Sequence, residues 1–161
     1  MRRAARVLGA AILLIGLLVQ PAMAGQPARE RFVDSGEFDI DCGTFLLHET
    51  YTDVVRVSER MVGDVIHIQV HHRFSGEITG PDGGVLIDRS SFTNFVTITA
   101  DGERDRQVGI VYRYVVPGLG LVAHDAGIIE FDALTGDVLR ISGPHDVWDT
   151  GLEALICPLF E

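Results

Sequence analysis

The chain has 161 residues, with 23 Asp and Glu against 13 basic residues and a formal net charge of −10. This length suits a single domain with one hydrophobic core. An acidic chain repels phosphate backbones, because nucleic-acid binding depends on clustered Lys and Arg, and the composition therefore excludes nucleic acid as a partner.

The first 24 residues have the pattern of a secretory signal. A basic start, MRRAAR, precedes an apolar run over residues 7–19 and a small-residue segment that ends at Ala24. The run is too short to span a bilayer comfortably, and a retained membrane anchor is the alternative. Removing residues 1–24 takes away three arginines and no acid, which lowers the net charge from −10 to −13. We expect a secreted or otherwise extracytoplasmic protein without membrane attachment, in which residues 25–33 form a flexible leader and 34–161 one domain.

Beyond residue 36, β-branched and aromatic residues alternate with polar ones. Turn dipeptides such as Asp101-Gly102 and Pro117-Gly118 separate the alternating segments. This pattern predicts an all-β antiparallel meander of seven or eight strands that closes into a barrel, because closure removes exposed edges; a β-sandwich is the alternative. Only residues 147–156 are a candidate for a short helix. The predicted strands cover residues 37–41, 44–59, 63–78, 85–99, 107–116, 119–132, 137–142 and 154–159.

The chain has two cysteines, Cys42 near the predicted mature start and Cys157 near the end. In an oxidising compartment, paired thiols persist as disulfides. Neither cysteine lies in a Cys-x-x-Cys motif, which argues against a reactive thiol. We therefore predict a disulfide between them.

The segment "HIQVHH", residues 67–72, holds three of the six histidines. On a strand, His72 shares one face with Ile68 and Val70, while His67 and His71 lie on the other face. Residues four apart on a strand are about 13 Å apart, too far for two histidines to bind one zinc ion. We predict no metal site and no cofactor here.

Four polar residues lie on otherwise apolar faces of the predicted strands. Burying such groups without partners costs free energy, so they are candidates for a ligand site in the barrel interior. The face of Tyr112 is predicted to include Tyr114 together with Val108 and Ile110. The candidate ligand-binding residues are His72, Asn94, Tyr112 and Asp125.

The same residues also suit purely structural roles. Asp125 lies two residues before Gly127, where a β-bulge would turn its carboxylate to solvent. His72 and Asn94 would satisfy each other by a hydrogen bond, and inward tyrosines are ordinary core filling.

The C-terminal third, "DAGIIEFDALTGDVLRISGPHDVWDTGLEALICPLF", resembles a group of small, secreted, mostly uncharacterised bacterial proteins with one N- to C-terminal disulfide. The resemblance implies an extracytoplasmic β-barrel-like domain whose last strand carries a cysteine, without a named activity. The matching residues are Asp125, Gly127, Gly143, His145 and Cys157, with Cys42 as its partner.

Three hypotheses for the function follow from these observations. The first is a binding module for a small, partly apolar ligand in the barrel interior. The second is a cofactor-free isomerase, cyclase or hydrolase in which His72 and Asp125 transfer protons. The third is a structural protein of the cell envelope that acts through its outer surface. The sequence indicates no oligomeric state.

Overall fold

A computed structural model describes residues 27–161, so the predicted signal segment lies outside the described residues. Seven strands form one antiparallel sheet in the order of the chain, which confirms the all-β meander. Each strand pairs with the next, and the hairpins turn at glycine-containing loops such as Gly80–Gly84. The strands are β1 (Ala28–Asp41), β2 (Leu46–Val62), β3 (Val65–Thr79), β4 (Val85–Thr99), β5 (Gly102–Val116), β6 (Gly120–Asp132) and β7 (Val138–Ser142).

The sheet is open, so the structure does not contain the predicted closed barrel. The order β1 to β7 leaves the two outer strands without a pairing between them. β7 has only five residues, while β1 to β6 have 13 to 17, so the last strand offers little edge for closure. The open arrangement fits the β-sandwich alternative better than the barrel, although all seven strands belong to one sheet.

The first strand is longer than predicted. β1 begins at Ala28 and pairs with β2 through 14 consecutive residues, from Ala28 opposite Glu59 to Asp41 opposite Leu46. The expected flexible leader over residues 25–33 is therefore wrong for residues 28–33. These residues are mostly charged, so their composition does not indicate a strand. They form one because they pair with the long neighbouring strand β2.

The chain ends in short helices rather than in the predicted strand over residues 154–159. The helices are α1 (Asp146–Thr150) and α2 (Leu152–Ile156), followed by a 3₁₀ helix (Cys157–Phe160). Pro158 lies in the first turn of the 3₁₀ helix, where its missing N–H costs nothing. The cysteine that the family resemblance placed in a strand is thus in a 3₁₀ helix. The candidate helix over residues 147–156 matches α1 and α2.

The disulfide between Cys42 and Cys157 is confirmed, and it ties the C-terminal helices to the end of β1. Beside it, side chains from one end of the sheet pack against the helices and form the main hydrophobic cluster. A disulfide is compatible with an extracytoplasmic protein. Within residues 27–161, no helix is long and apolar enough to span a membrane. The buried members of the cluster are Ile40, Leu47, Ile78, Leu86, Tyr114, Ala123, Val147, Ile156, Cys157 and Phe160.

A β-bulge in β5 changes which side chains share a face. The register against β6 shifts between Ile110 and Tyr112. The extra residue places Tyr112 and Tyr114 on the face of the hydrophobic cluster and Val108 and Ile110 on the opposite face. The prediction that these four residues share one face is therefore wrong.

Candidate functional site

The two faces of the sheet differ in charge. The core face packs against the C-terminal helices at one end, and the cross-strand register places Glu49, Asp53, Asp88, Asp105 and Asp125 on it. The opposite face, called the arginine face below, carries every arginine of the strands. These are Arg29, Arg31, Arg56, Arg60, Arg73, Arg89, Arg104, Arg106, Arg113 and Arg140.

His72 lies on the core face and is held by two neighbours. Its Nδ1 lies 2.7 Å from Oδ2 of Asp53, and the two side chains are 23% and 15% exposed. The imidazole stacks on Phe92 with ring centroids 4.6 Å apart and an interplanar angle of 12°. Because Asp53 is a diagonal neighbour on β2, two strands cooperate to fix the orientation of the ring. The second carboxylate oxygen of Asp53, Oδ1, is buried and has no hydrogen-bond partner among the described residues.

Asn94 pairs with a carboxylate and not with His72. Its Nδ2 donates to both oxygens of Asp105, at 3.1 and 2.9 Å. Burial raises the pKa of Asp105, while the hydrogen bond from Asn94 and the nearby His72 act against this rise. His72 and Asn94 therefore belong to two neighbouring polar pairs on the same face.

Tyr112 and Asp125 lie opposite each other on β5 and β6. Tyr112 stacks on Tyr114 with ring centroids 6.0 Å apart and keeps 36% of its surface exposed. Asp125 is 2% exposed. Its Oδ1 accepts from the backbone N–H of Val147 at 2.7 Å, and its Oδ2 accepts from that of Trp148 at 3.2 Å.

The carboxylate of Asp125 thus binds the first turn of α1, where backbone N–H groups have no partner within the helix. Among the described residues it makes no hydrogen bond to His72, whose partner is Asp53. The structure does not bring these two candidate residues together as an acid and a base. The bulge expected near Asp125 occurs in the opposite strand β5, and the carboxylate points inward.

A buried pair of carboxyl groups was missed by the sequence analysis. Glu49 and Asp88 are each 2% exposed, and Ser90 donates to Oδ1 of Asp88 at 2.8 Å. Gly76 lies between them on β3, and a Cβ atom there would meet the carboxylate of Glu49. Oε1 of Glu49 is buried without a hydrogen-bond partner among the described residues. Alternation with Leu47 and Leu86 was the signal that could have revealed this pair.

Burial is the main cause of the raised pKa values in this pair. Loss of hydration raises the pKa of Glu49 to about 7, and the charge of Asp88 adds to the rise. Burial also raises the pKa of Asp88 to about 6, although hydrogen bonds from Ser90 and Tyr114 oppose it. The pair therefore takes up a proton close to neutral pH.

We expect the substitution Glu49→Gln to make stability less dependent on pH. The folded state keeps a proton on Glu49 above the ordinary pKa of 4.5, where the unfolded state has lost it. Stability therefore falls as pH rises through the window from 4.5 to about 7. Between about pH 5 and about pH 8 the loss due to Glu49 is roughly 2 to 3 kcal/mol. Urea denaturation at both pH values measures it.

Glu77→Gln is the matched control for Glu49→Gln, because Glu77 is exposed on the arginine face of the neighbouring strand. This control should keep the wild-type pH dependence. An identical pH dependence in Glu49→Gln and wild type would contradict the assigned pKa.

The three histidines of the HIQVHH segment are separated by the sheet. His67 and His71 both lie on the arginine face, where Nδ1 of His71 lies 3.0 Å from the hydroxyl of Thr93. His72 points to the core face. Across residues 27–161, no group of three or more His, Cys, Asp or Glu side chains is placed to hold a metal ion.

No protein-family model, curated protein or solved structure matches the chain.

Proposed function

We propose that the protein is a secreted binding module that holds a small, partly apolar ligand on the core face. The supporting observation is the buried Oδ1 of Asp53, which has no hydrogen-bond partner within residues 27–161 and lies beside the oriented His72. A buried acceptor without a partner costs free energy, and a ligand donor would recover it. The secretory signal pattern and the disulfide support a location outside the cytoplasm.

The surroundings of Asp53 and His72 define the open half of the core face. The C-terminal helices cover the other half, where residues such as Ile40 and Leu86 pack against them. Half-buried apolar side chains with few polar groups among them are typical of ligand sites. The half-buried apolar residues of the open half are Val57, Ile66, Ile68, Val70, Phe92, Val96 and Ile98.

The negative charge of the core face indicates which ligands can bind there. Its ionisable groups near His72 are the carboxylates of Asp53 and Asp105, and all strand arginines lie on the opposite face. A ligand with an amine or hydroxyl donor suits this face, whereas a carboxylate would be repelled. We therefore propose a small apolar amine or alcohol as the ligand class, with His72, Asn94, Tyr112 and Asp53 around it.

Thermal unfolding with three matched probes tests this proposal. Benzylamine, benzyl alcohol and benzoate share one ring and differ in charge. We expect benzylamine and benzyl alcohol to raise the unfolding midpoint and benzoate to leave it unchanged. At ten times its Kd, a ligand stabilises the folded state by about 1.4 kcal/mol.

His72→Ala and Asp53→Asn should each remove the shift caused by benzylamine. His71→Ala is the matched control, because the neighbouring His71 points to the arginine face. Equal shifts with all three probes, or a benzylamine shift that survives both core-face substitutions, would contradict the proposal.

Proton transfer is a second candidate function, favoured by the contact between Asp53 and His72. Asp53 holds Nδ1 of the ring, and Nε2 has no hydrogen-bond partner among the described residues. This arrangement is typical of a histidine acting as a general base. A bound compound that is converted by wild type and only bound by His72→Ala would favour an isomerase, cyclase or hydrolase over a binding module.

A further inference from the structure

We propose a second binding site, for a small polyanion, in a groove on the arginine face. The groove has a volume of about 730 Å³, which is within the range of sites for small molecules. Four arginines from three strands line it, and Glu130 is the one carboxylate in its lining. The arginines are Arg29, Arg60, Arg104 and Arg106.

The sheet register brings these arginines together from distant parts of the chain. One cross-strand row contains Arg60, His67, Thr97 and Arg104. The adjacent row contains Arg29, Ser58, Gln69, Phe95, Arg106 and Glu130. Hydroxyl, amide and imidazole groups therefore lie between guanidinium groups and add hydrogen-bonding capacity to the positive charge.

Most of the positive charge in the groove is not neutralised by the protein. Nη1 of Arg104 lies 3.5 Å from Oε1 of Glu130. Within residues 27–161, Arg29, Arg60 and Arg106 make no salt bridge to a carboxylate. Like charges that share a groove repel one another, and an anion removes that repulsion. The groove therefore favours a ligand with at least two negative groups.

One of the guanidinium groups is already oriented by an aromatic ring. Arg106 lies over the ring of Phe95 at 5.1 Å from its centroid. A guanidinium that is held in place loses less conformational entropy when it binds a carboxylate or phosphate through two N–H groups. The charge of the whole chain is negative, which opposes a long polyanion and favours a small one.

Isothermal titration of the disulfide-bonded mature chain with pyrophosphate and with citrate tests the site. We expect binding of one molecule per chain, and about five- to tenfold weaker binding in each of Arg60→Gln and Arg106→Gln. Arg73→Gln is the matched control, with the same charge change on the same face but outside the groove. It should bind as wild type does.

Three results would overturn the proposal. They are absence of binding to both probes in wild type, an equal loss in Arg73→Gln and the groove variants, and equal binding of singly charged acetate. All three arginines are exposed, so an unchanged unfolding midpoint will show that each variant is folded. His72→Ala should leave pyrophosphate binding intact, which separates this site from the one on the core face.

Discussion

Replacing Cys42 and Cys157 together by Ser should lower the free energy of unfolding by about 4 to 5 kcal/mol. The two residues are 115 positions apart, so the disulfide restricts almost the whole described chain in the unfolded state. In the folded state it also holds the 3₁₀ helix at the end of β1, where Cys157 is buried in the hydrophobic cluster. Urea denaturation of the variant and of wild type, with and without reductant, measures the loss.

Trp148 is the only tryptophan of the chain and lies in α1, so its fluorescence reports the docking of the C-terminal helices. A second variant with alanine at both cysteine positions separates the loss of the covalent link from the burial of a serine hydroxyl. A loss below about 1 kcal/mol in both variants would contradict a major role of the disulfide in stability.

The two faces of the sheet carry different charges, and the two binding sites proposed above follow from this difference. Side chains alternate along each strand, so a residue and its neighbour belong to different surfaces. His71 and His72 illustrate this, since one bonds to Thr93 and the other to Asp53. Acidic and basic groups can therefore be close in sequence without neutralising one another.

The alternation of apolar and polar residues was sufficient to predict the antiparallel meander. It also predicted which side chains of β3 lie on each face of the sheet. The two-residue period is a local property, so His72 could be separated from His67 and His71 without the structure. The two-residue period fails where a residue is inserted. For this reason the bulge between Ile110 and Tyr112 places Tyr112 on the opposite face from Ile110, although the period predicts one shared face.

The partners of the candidate residues could not be predicted in the same way. Asp53 meets His72, and Asp105 meets Asn94, through diagonal positions on neighbouring strands. Such pairs depend on the register between strands, which the local pattern does not specify.

The C-terminal segment was misread for a different reason. Leu155, Cys157 and Leu159 alternate with other residues as in a strand, but Leu152 and Ile156 also have helical spacing. The structure buries Ile156, Cys157 and Phe160 together against the sheet. A short apolar run is compatible with both periods, and here tertiary packing favours the helix.

Asp125→Asn should lower the free energy of unfolding by about 2 to 4 kcal/mol. Both carboxylate oxygens accept backbone N–H groups of α1, from Val147 and from Trp148. Asparagine offers one oxygen, and its NH₂ group would face the remaining N–H, which leaves two donors against each other. The loss should appear first as a change in Trp148 fluorescence at low urea concentration, before the sheet unfolds.

Asp149→Asn is the matched control for Asp125→Asn, because Asp149 lies in the same helix and is exposed. It removes the same charge without removing a hydrogen bond to the first turn, so we expect a change below about 0.5 kcal/mol. If the two variants were equally stable, the buried carboxylate of Asp125 would not be what holds α1 on β6.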